Sequence, residues 1–269
     1  MRLVDGADAI RGDLPAASTV VVDVPLDAGI DEGTGVLRLS TLHATRDAQA
    51  MALRASTGVP ITIGGDCGVE LAAISHAIET HQDVAVVWLG AHPDLHSPQT
   101  SPSGAFHGMV LRTLLGEGEP TLVPGSTLAA SRLILAGIRA LDDPEAATVQ
   151  ELGLRMIPPT DLSPDAVRAA LDDTGADCVY IHVDLDVLDP AEFAGLGYPE
   201  PFGMSLTSVL DVLKAITTAL PLIGAGITEF APGSPEAAGD DLGSVLRIIG
   251  TLSTAARALD SEEPSFTID

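Results

Sequence analysis

Short β-branched runs alternate with Ala- and Leu-rich stretches of helical period along the whole chain. Residues 19–24 (TVVVDV), 60–63, 84–89, 133–136, 154–157, 178–183 and 222–227 read as strands. Short, continuous apolar runs bounded by turn formers suit strands buried on both faces. Helical spacing predicts helices near residues 43–56, 67–79, 164–172, 206–220 and 241–259. In the second of these, Val69, Ala72, Ala73 and Ala77 are available for an inner face. Ser163 before Pro164 fits an N-cap followed by proline at the first helical position. Strand–helix alternation predicts a mostly parallel sheet covered by helices on both faces. With no linker, low-complexity tract or internal repeat in view, residues 1–269 read as one domain, and residues 261–269 as a loose tail. Ligands of such sheets bind at the carboxyl ends of strands. Polar clusters fall there, after Ile63, Leu89, Val183 and Ile227.

Composition narrows the classes of function. Thirty-eight acidic residues against 13 basic ones give a formal net charge of −25, which opposes encounter with nucleic acid or an anionic membrane surface. The chain is 46% hydrophobic, enough for a packed core rather than global disorder. Aromatics are only 3%, so that core must be built from Ala, Val, Leu and Ile. Two cysteines, Cys67 and Cys178, do not make the framework of a secreted disulfide scaffold. The start lacks a basic-then-apolar leader pattern, and no apolar run reaches the roughly 18 residues needed to cross a bilayer. The expectation is a cytoplasmic protein whose partner is a small molecule.

Three segments carry chemistry. In Val179-Tyr-Ile-His-Val-Asp-Leu-Asp-Val-Leu-Asp-Pro190, strand alternation points His182, Asp184 and Asp186 one way and Ile181, Val183 and Leu185 the other. Two carboxylates about 7 Å apart on one strand face repel, and a cation between them is the usual remedy. The bland alternative is a pair of acids solvated at a strand end. In Trp88-Leu-Gly-Ala-His-Pro-Asp-Leu-His-Ser-Pro98, His92 and Asp94 offer a mixed N/O donor set suited to Mn, Zn or Fe, unless they are ordinary surface groups. In Ser103-Gly-Ala-Phe-His-Gly-Met109, His107 lies near a helix start, where it could equally serve as a cap.

Taken together these segments resemble the ureohydrolase superfamily of arginases, agmatinases and formimidoylglutamases. The family's Gly-Gly-Asp-His-Ser stands here as Gly64-Gly65-Asp66-Cys67-Gly68, and its Asp-Ala-His-x-Asp as Gly90-Ala91-His92-Pro93-Asp94. Ser-Gly-x-x-His-Gly is intact from Ser103 to Gly108, and Asp-x-Asp-x-x-Asp-Pro from Asp184 to Pro190. A late acid matches Glu229 in Ile227-Thr-Glu-Phe-Ala-Pro232. The resemblance implies a three-layer α/β/α sandwich with a mostly parallel eight-stranded sheet, assembled as a homo-oligomer, a trimer or hexamer. It also implies manganese chemistry: hydroxide made at the metal attacks a guanidine or formimidoyl carbon. His107 would then shuttle a proton to the leaving amine, and Glu229 would receive the guanidinium. Asp189 reads as a turn-stabilising acid, and His182 as support behind the ligands or as core packing.

Two departures change this picture. Of the six metal-ligand positions that the resemblance implies, His92, Asp94, Asp184 and Asp186 keep their ligands, whereas Cys67 replaces a histidine and Gly90 a bridging aspartate. Two dications about 3.5 Å apart repel by ~19 kcal/mol at an effective dielectric of 20, so losing a bridge weakens one site severely. The expectation is a divalent ion, Mn or Zn, held first by His92, Asp184 and Asp186, with Cys67 a weak ligand and a second ion loosely held or absent. His96 and Ala105 replace asparagines that resemblance assigns to the substrate's carboxylate, while Ser103 remains, which disfavours L-arginine itself. Three functional readings follow. One is a metallohydrolase of a guanidine or amidine C–N bond; another is a catalytically silent paralogue serving as a structural or partner subunit. In the third, Cys67 is the nucleophile and His107 its base.

Overall fold

A computed structural model describes residues 3–262, with side chains through Arg257. The earlier reading of a loose end falls partly inside a helix, at residues 261–262, and otherwise outside the described residues. Six strands form one all-parallel sheet: β1 (Ile61–Ile63), β2 (Val84–Leu89), β3 (Leu133–Ala136), β4 (Arg155–Ile157), β5 (Cys178–Asp184) and β6 (Leu222–Thr228). Their spatial order is β1-β6-β5-β2-β3-β4. The sheet among the described residues therefore has six strands, not the eight that resemblance implied.

Residues 19–24 are the expected strand that does not form. The chain is extended at Thr19, but Val20, Val21 and Val24 are all more than half exposed, and no strand pairs with them. β-propensity describes fitness for a pleated, half-buried surface, and without a neighbouring ladder it does not make a strand.

Eight helices among the described residues cover the sheet: α1 (Leu3–Gly12), α2 (Leu39–Ala55), α3 (Glu70–Thr80), α4 (Val110–Leu114), α5 (Asp143–Leu152), α6 (Pro164–Thr174), α7 (Leu206–Ala219) and α8 (Pro235–Glu262). Strand alternation divides the core in two. Ala85, Val87, Ile134, Val179, Ile181 and Val183 face α1, α6, α7 and α8, whereas Val86, Trp88, Leu133, Leu135 and Tyr180 face α2, α3 and α4. The Ser163 cap of α6 is as expected, accepting the Ala166 N–H at 3.2 Å. Helix α5 was missed, although Asp142-Asp-Pro-Glu145 is a capping box whose side chains and backbones bond reciprocally. The helix expected at residues 67–79 begins as a 3-10 turn (Cys67–Val69), because Asp66 caps the Gly68 N–H at 2.9 Å, and becomes α-helical at Glu70. No helix among the described residues is long and apolar enough to cross a membrane.

Candidate active site

The chain runs outward from β2 through β3 to β4, then returns to place β5 and β6 on the other side of β2. The carboxyl ends of β2 and β5 thus meet at the switch point, where open α/β sheets bind ligands. Asp184 closes β5, and its Oδ1 accepts the Asp186 N–H at 2.8 Å, starting a 3-10 turn. Asp186 consequently lies in that turn rather than on the strand face it was expected to share with Asp184. The turn carries it to the loop after β2. There its Oδ1 accepts the Ala91 N–H at 2.7 Å and its Oδ2 meets His92 Nδ1 at 2.7 Å.

The other strand ends complete the cup. Cys67, beyond β1, donates its thiol to Asp184 Oδ2 at 3.2 Å and lies 3.3 Å from Thr228 Oγ1 and 3.7 Å from His182 Nε2. Asp94 and Glu229 hold left-handed backbone at φ +50 and +67, strain of order 1–3 kcal/mol each for residues that are not glycine. His107 sits in a 3-10 turn (Phe106–Met109), with Nδ1 3.6 Å from Glu229 Oε1 and its ring stacked on Tyr198 at 5.7 Å. Both Glu229 oxygens are buried without a hydrogen-bond partner.

Electrostatics follow from this crowding. Burial, reinforced by the charges of Asp186, Glu145 and Glu229, pushes the Asp94 pKa well above the usual carboxylate range. Burial and the charges of Asp186 and Glu229 do the same to Asp184. The Cys67 thiol rises through burial and the neighbouring charges of Asp184, Asp94 and Glu229. Burial lowers His92, but its hydrogen bond to Asp186 and that carboxylate's charge outweigh it and leave the pKa raised. The Glu229 carboxylate raises His107 against the opposing effect of burial.

Four buried carboxylates, Asp94, Asp184, Asp186 and Glu229, therefore share one cup with two imidazoles, an arrangement that a cation would neutralise. Their hard oxygens and the His92 nitrogen fit a divalent ion. Gly90 is where the fit to a bridged pair fails. A Cβ built there would stand 3.3 Å from Asp184 Cβ and 3.4 Å from Asp186 Oδ1, so the position faces the ligands but offers them nothing.

The remaining expected residues lie around this cup. His96 Nε2 is 3.3 Å from Asp142 Oδ2 and 3.9 Å from Glu145 Oε1, forming a second polar group above β2. Ser103 is exposed, and its hydroxyl accepts the Ala105 N–H within its own turn. Asp189 holds the Ala191 N–H at 2.8 Å, the turn role expected of it. His182 is fully buried under the stacked ring of Trp88, with Nδ1 3.7 Å from Glu70 Oε1.

Sequence reading missed Arg139, Glu70, Tyr198 and Thr228. Arg139 follows β3 and donates to the carbonyls of Asp186 at 2.7 Å and Glu200 at 2.8 Å, fixing the Asp186 turn to the loop that carries Glu200. The strand-end rule applied to β3 finds it. Helical period finds Glu70, which shares the inner face of α3 with Ala73, Ile74 and Ala77.

Comparison with known proteins accounts for this geometry. The sequence model described as "Arginase family" matches residues 12–246. The chain is 30% identical over 219 residues to the N(omega)-hydroxy-L-arginine amidinohydrolase of Streptomyces lavendulae, covering 81% of this chain and 77% of that protein. It is 27% identical over 183 residues to the arginase of Bacillus caldovelox, covering 64% of this chain and 61% of that one. In three dimensions it is similar to Entamoeba histolytica arginase, crystallised with L-ornithine, with a TM-score of 0.77, 25% identity and coverage of 86% and 83% of the two chains. A family model spanning most of the sequence, and a fold shared over most of both chains, place this protein in the arginase family.

Proposed function

We propose that this chain hydrolyses a C–N bond of a guanidine- or amidine-type small molecule with the help of a divalent metal ion, Mn or Zn. The observation that carries the reading is Glu229, whose two buried oxygens accept no hydrogen bond and face His107, Oε1 at 3.6 Å from its Nδ1, within an anionic cup. A buried carboxylate that accepts no hydrogen bond suits the paired N–H donors of a planar guanidinium. The names of the Streptomyces and Bacillus relatives, a hydroxyarginine amidinohydrolase and an arginase, point to the same bond.

His92, Asp94, Asp184 and Asp186 would hold the ion, with one ion favoured because Gly90 supplies no bridge. When bound, such an ion makes water acidic enough to act as a nucleophile near neutral pH. Glu229 orients the substrate and keeps His107 protonated further up the pH scale than a free imidazole. His107 then delivers its proton to the departing nitrogen. Asp186 fixes the His92 ring, and Arg139 fixes the turn that carries Asp186. His96, turned toward Asp142, gives the far end of the site a different polarity from the one that resemblance assigns to arginine binding. A cytoplasmic homo-oligomer, trimer or hexamer, completes the proposal. Its support is the family resemblance and two cysteines that are buried and unpaired.

The test is release of urea, ammonia or formamide from a panel of guanidino and amidino compounds, before and after metal loading. Metal-dependent release from one compound, reduced about 10²–10⁴-fold in kcat by His107→Ala, is the expected result. A metal-loaded chain that releases nothing from the whole panel would favour the silent paralogue. Release from metal-free protein, abolished by alkylating Cys67, would favour the thiol nucleophile.

A further inference from the structure

One wall of the cup has different chemistry. Cys67, His182 and Asp184 are buried, and each offers one ligand atom within 4.8 Å of those of the other two. The sulfur-to-nitrogen distance is 3.7 Å and the sulfur-to-oxygen distance 3.2 Å. Ligand atoms arranged tetrahedrally at the bond lengths zinc makes to sulfur and nitrogen stand roughly 3.5 Å apart. The two distances from the sulfur thus already stand close to edges of a zinc tetrahedron.

A second observation points to the same place. Glu70 is fully buried, no well-aligned hydrogen bond reaches either of its oxygens, and Oε1 lies 3.7 Å from His182 Nδ1, itself unpartnered. An acid behind Nδ1 favours the tautomer that leaves the Nε2 lone pair facing Cys67, the usual support of a metal-bound histidine. Trp88, stacked on His182 at 3.6 Å, holds the ring in that orientation. Gly226 makes room for the acid: a Cβ there would fall 1.7 Å from Glu70 Oε1.

We infer that Cys67, His182 and Asp184 form a site for one thiophilic divalent ion, Zn²⁺, with Glu70 as the positioning residue of His182. The sulfur selects zinc over manganese, since thiolate is soft and manganese prefers oxygen. Ion binding breaks the Cys67 S–H bond and forms an S–Zn bond, and the proton now shared with Asp184 passes to solvent. The imidazole missing at position 67 is thereby replaced by one from β5, and the site shares Asp184 with the oxygen-rich one but differs from it in its other ligands and in metal preference. The inference stands whether or not a guanidino compound is turned over.

Cobalt serves as the probe. Metal-free protein titrated with Co²⁺ is expected to develop a sulfur-to-cobalt charge-transfer band in the near ultraviolet, lost in Cys67→Ser and displaced by Zn²⁺ but not by Mn²⁺. Glu70→Gln should keep the band and weaken zinc about 10–100-fold, measured by competition with a chelating dye, while His182→Gln weakens it further. If these variants fail to fold, zinc should still slow alkylation of Cys67 in the unaltered chain, with Cys178 as internal reference. Bound cobalt without a sulfur band, or zinc affinity unchanged in both Cys67→Ser and His182→Gln, would overturn the inference. A sulfur band in a protein that hydrolyses nothing would sustain this site and defeat only the proposed reaction.

Discussion

The two faces of the sheet are built from the same strands, yet they are different materials. On β5, Val179, Ile181 and Val183 enter a layer of aliphatic side chains from α6, α7 and α8. One residue out of phase, Tyr180, His182 and Asp184 enter the layer under α3, beside Trp88, Cys67 and Glu70. Among the described residues, buried side-chain atoms that make no well-aligned hydrogen bond gather mainly on this second face: the Glu70 oxygens, Trp88 Nε1, Tyr180 Oη and His182 Nδ1. An unpaired buried polar group costs about 1–3 kcal/mol, so the second face gives up stability that the first supplies. That layer of acceptors and donors leads to the anionic cup, and the dry layer packs the other side of the same strands.

Five measurements sharpen or break this contrast. Ile181→Ala, on the dry face, should destabilise the fold by about 2–5 kcal/mol in urea titrations and leave metal affinity unchanged. A loss of metal affinity there would show that the two layers are not separable. Next, a divalent ion at a hundredfold excess over its Kd should stabilise the chain by about 2.7 kcal/mol, read as a rise in Tm. The pH profile carries the same information. Asp94 and Asp184 have folded-state pKa values raised above those of the unfolded chain, so the native state binds more protons above the ordinary carboxyl range near 4. Stability of the metal-free protein should therefore fall as pH rises from there through the raised values, and bound metal should flatten the slope.

A smaller effect tests how tightly the polar layer is filled. Gly226→Ala drives a methyl into Glu70 and should cost about 1–3 kcal/mol, much of it recovered when Glu70→Ala is added. Equal losses with and without Glu70 would place the crowding elsewhere. The smallest change is a titration. Glu229→Gln removes the carboxylate that raises His107, so the His107 ring proton signal should titrate at lower pH in the variant. No movement would separate the two residues electrostatically and weaken their pairing in the proposed reaction.

Much of this was legible in the chain. Strand β3 falls where apolar patterning put it, and β2 does as well, because a buried parallel strand is a continuous apolar run. The motif residues His92, Asp94, Asp184, Asp186, His107 and Glu229 are brought to one end of the sheet because each closes a strand or lies in the chain that leaves one at its carboxyl end. Residues 19–24 misled because their composition suits a strand while no neighbour offers a ladder. Glu70 and Arg139 were passed over because each is one charged residue whose partner is distant in sequence, His182 for one and the Asp186 carbonyl for the other.

Sequence by itself determined the alternating architecture, the dry face and the roster of acids and imidazoles at the strand ends, since periodicity and strand polarity are local properties. Only the tertiary structure decided that Cys67 and His182, 115 positions apart, share one wall with Asp184. It alone also showed that Gly90 faces the ligands without a side chain to offer them. Which donors converge depends on the order in which strands are laid side by side, and that order is fixed by packing between segments remote along the chain.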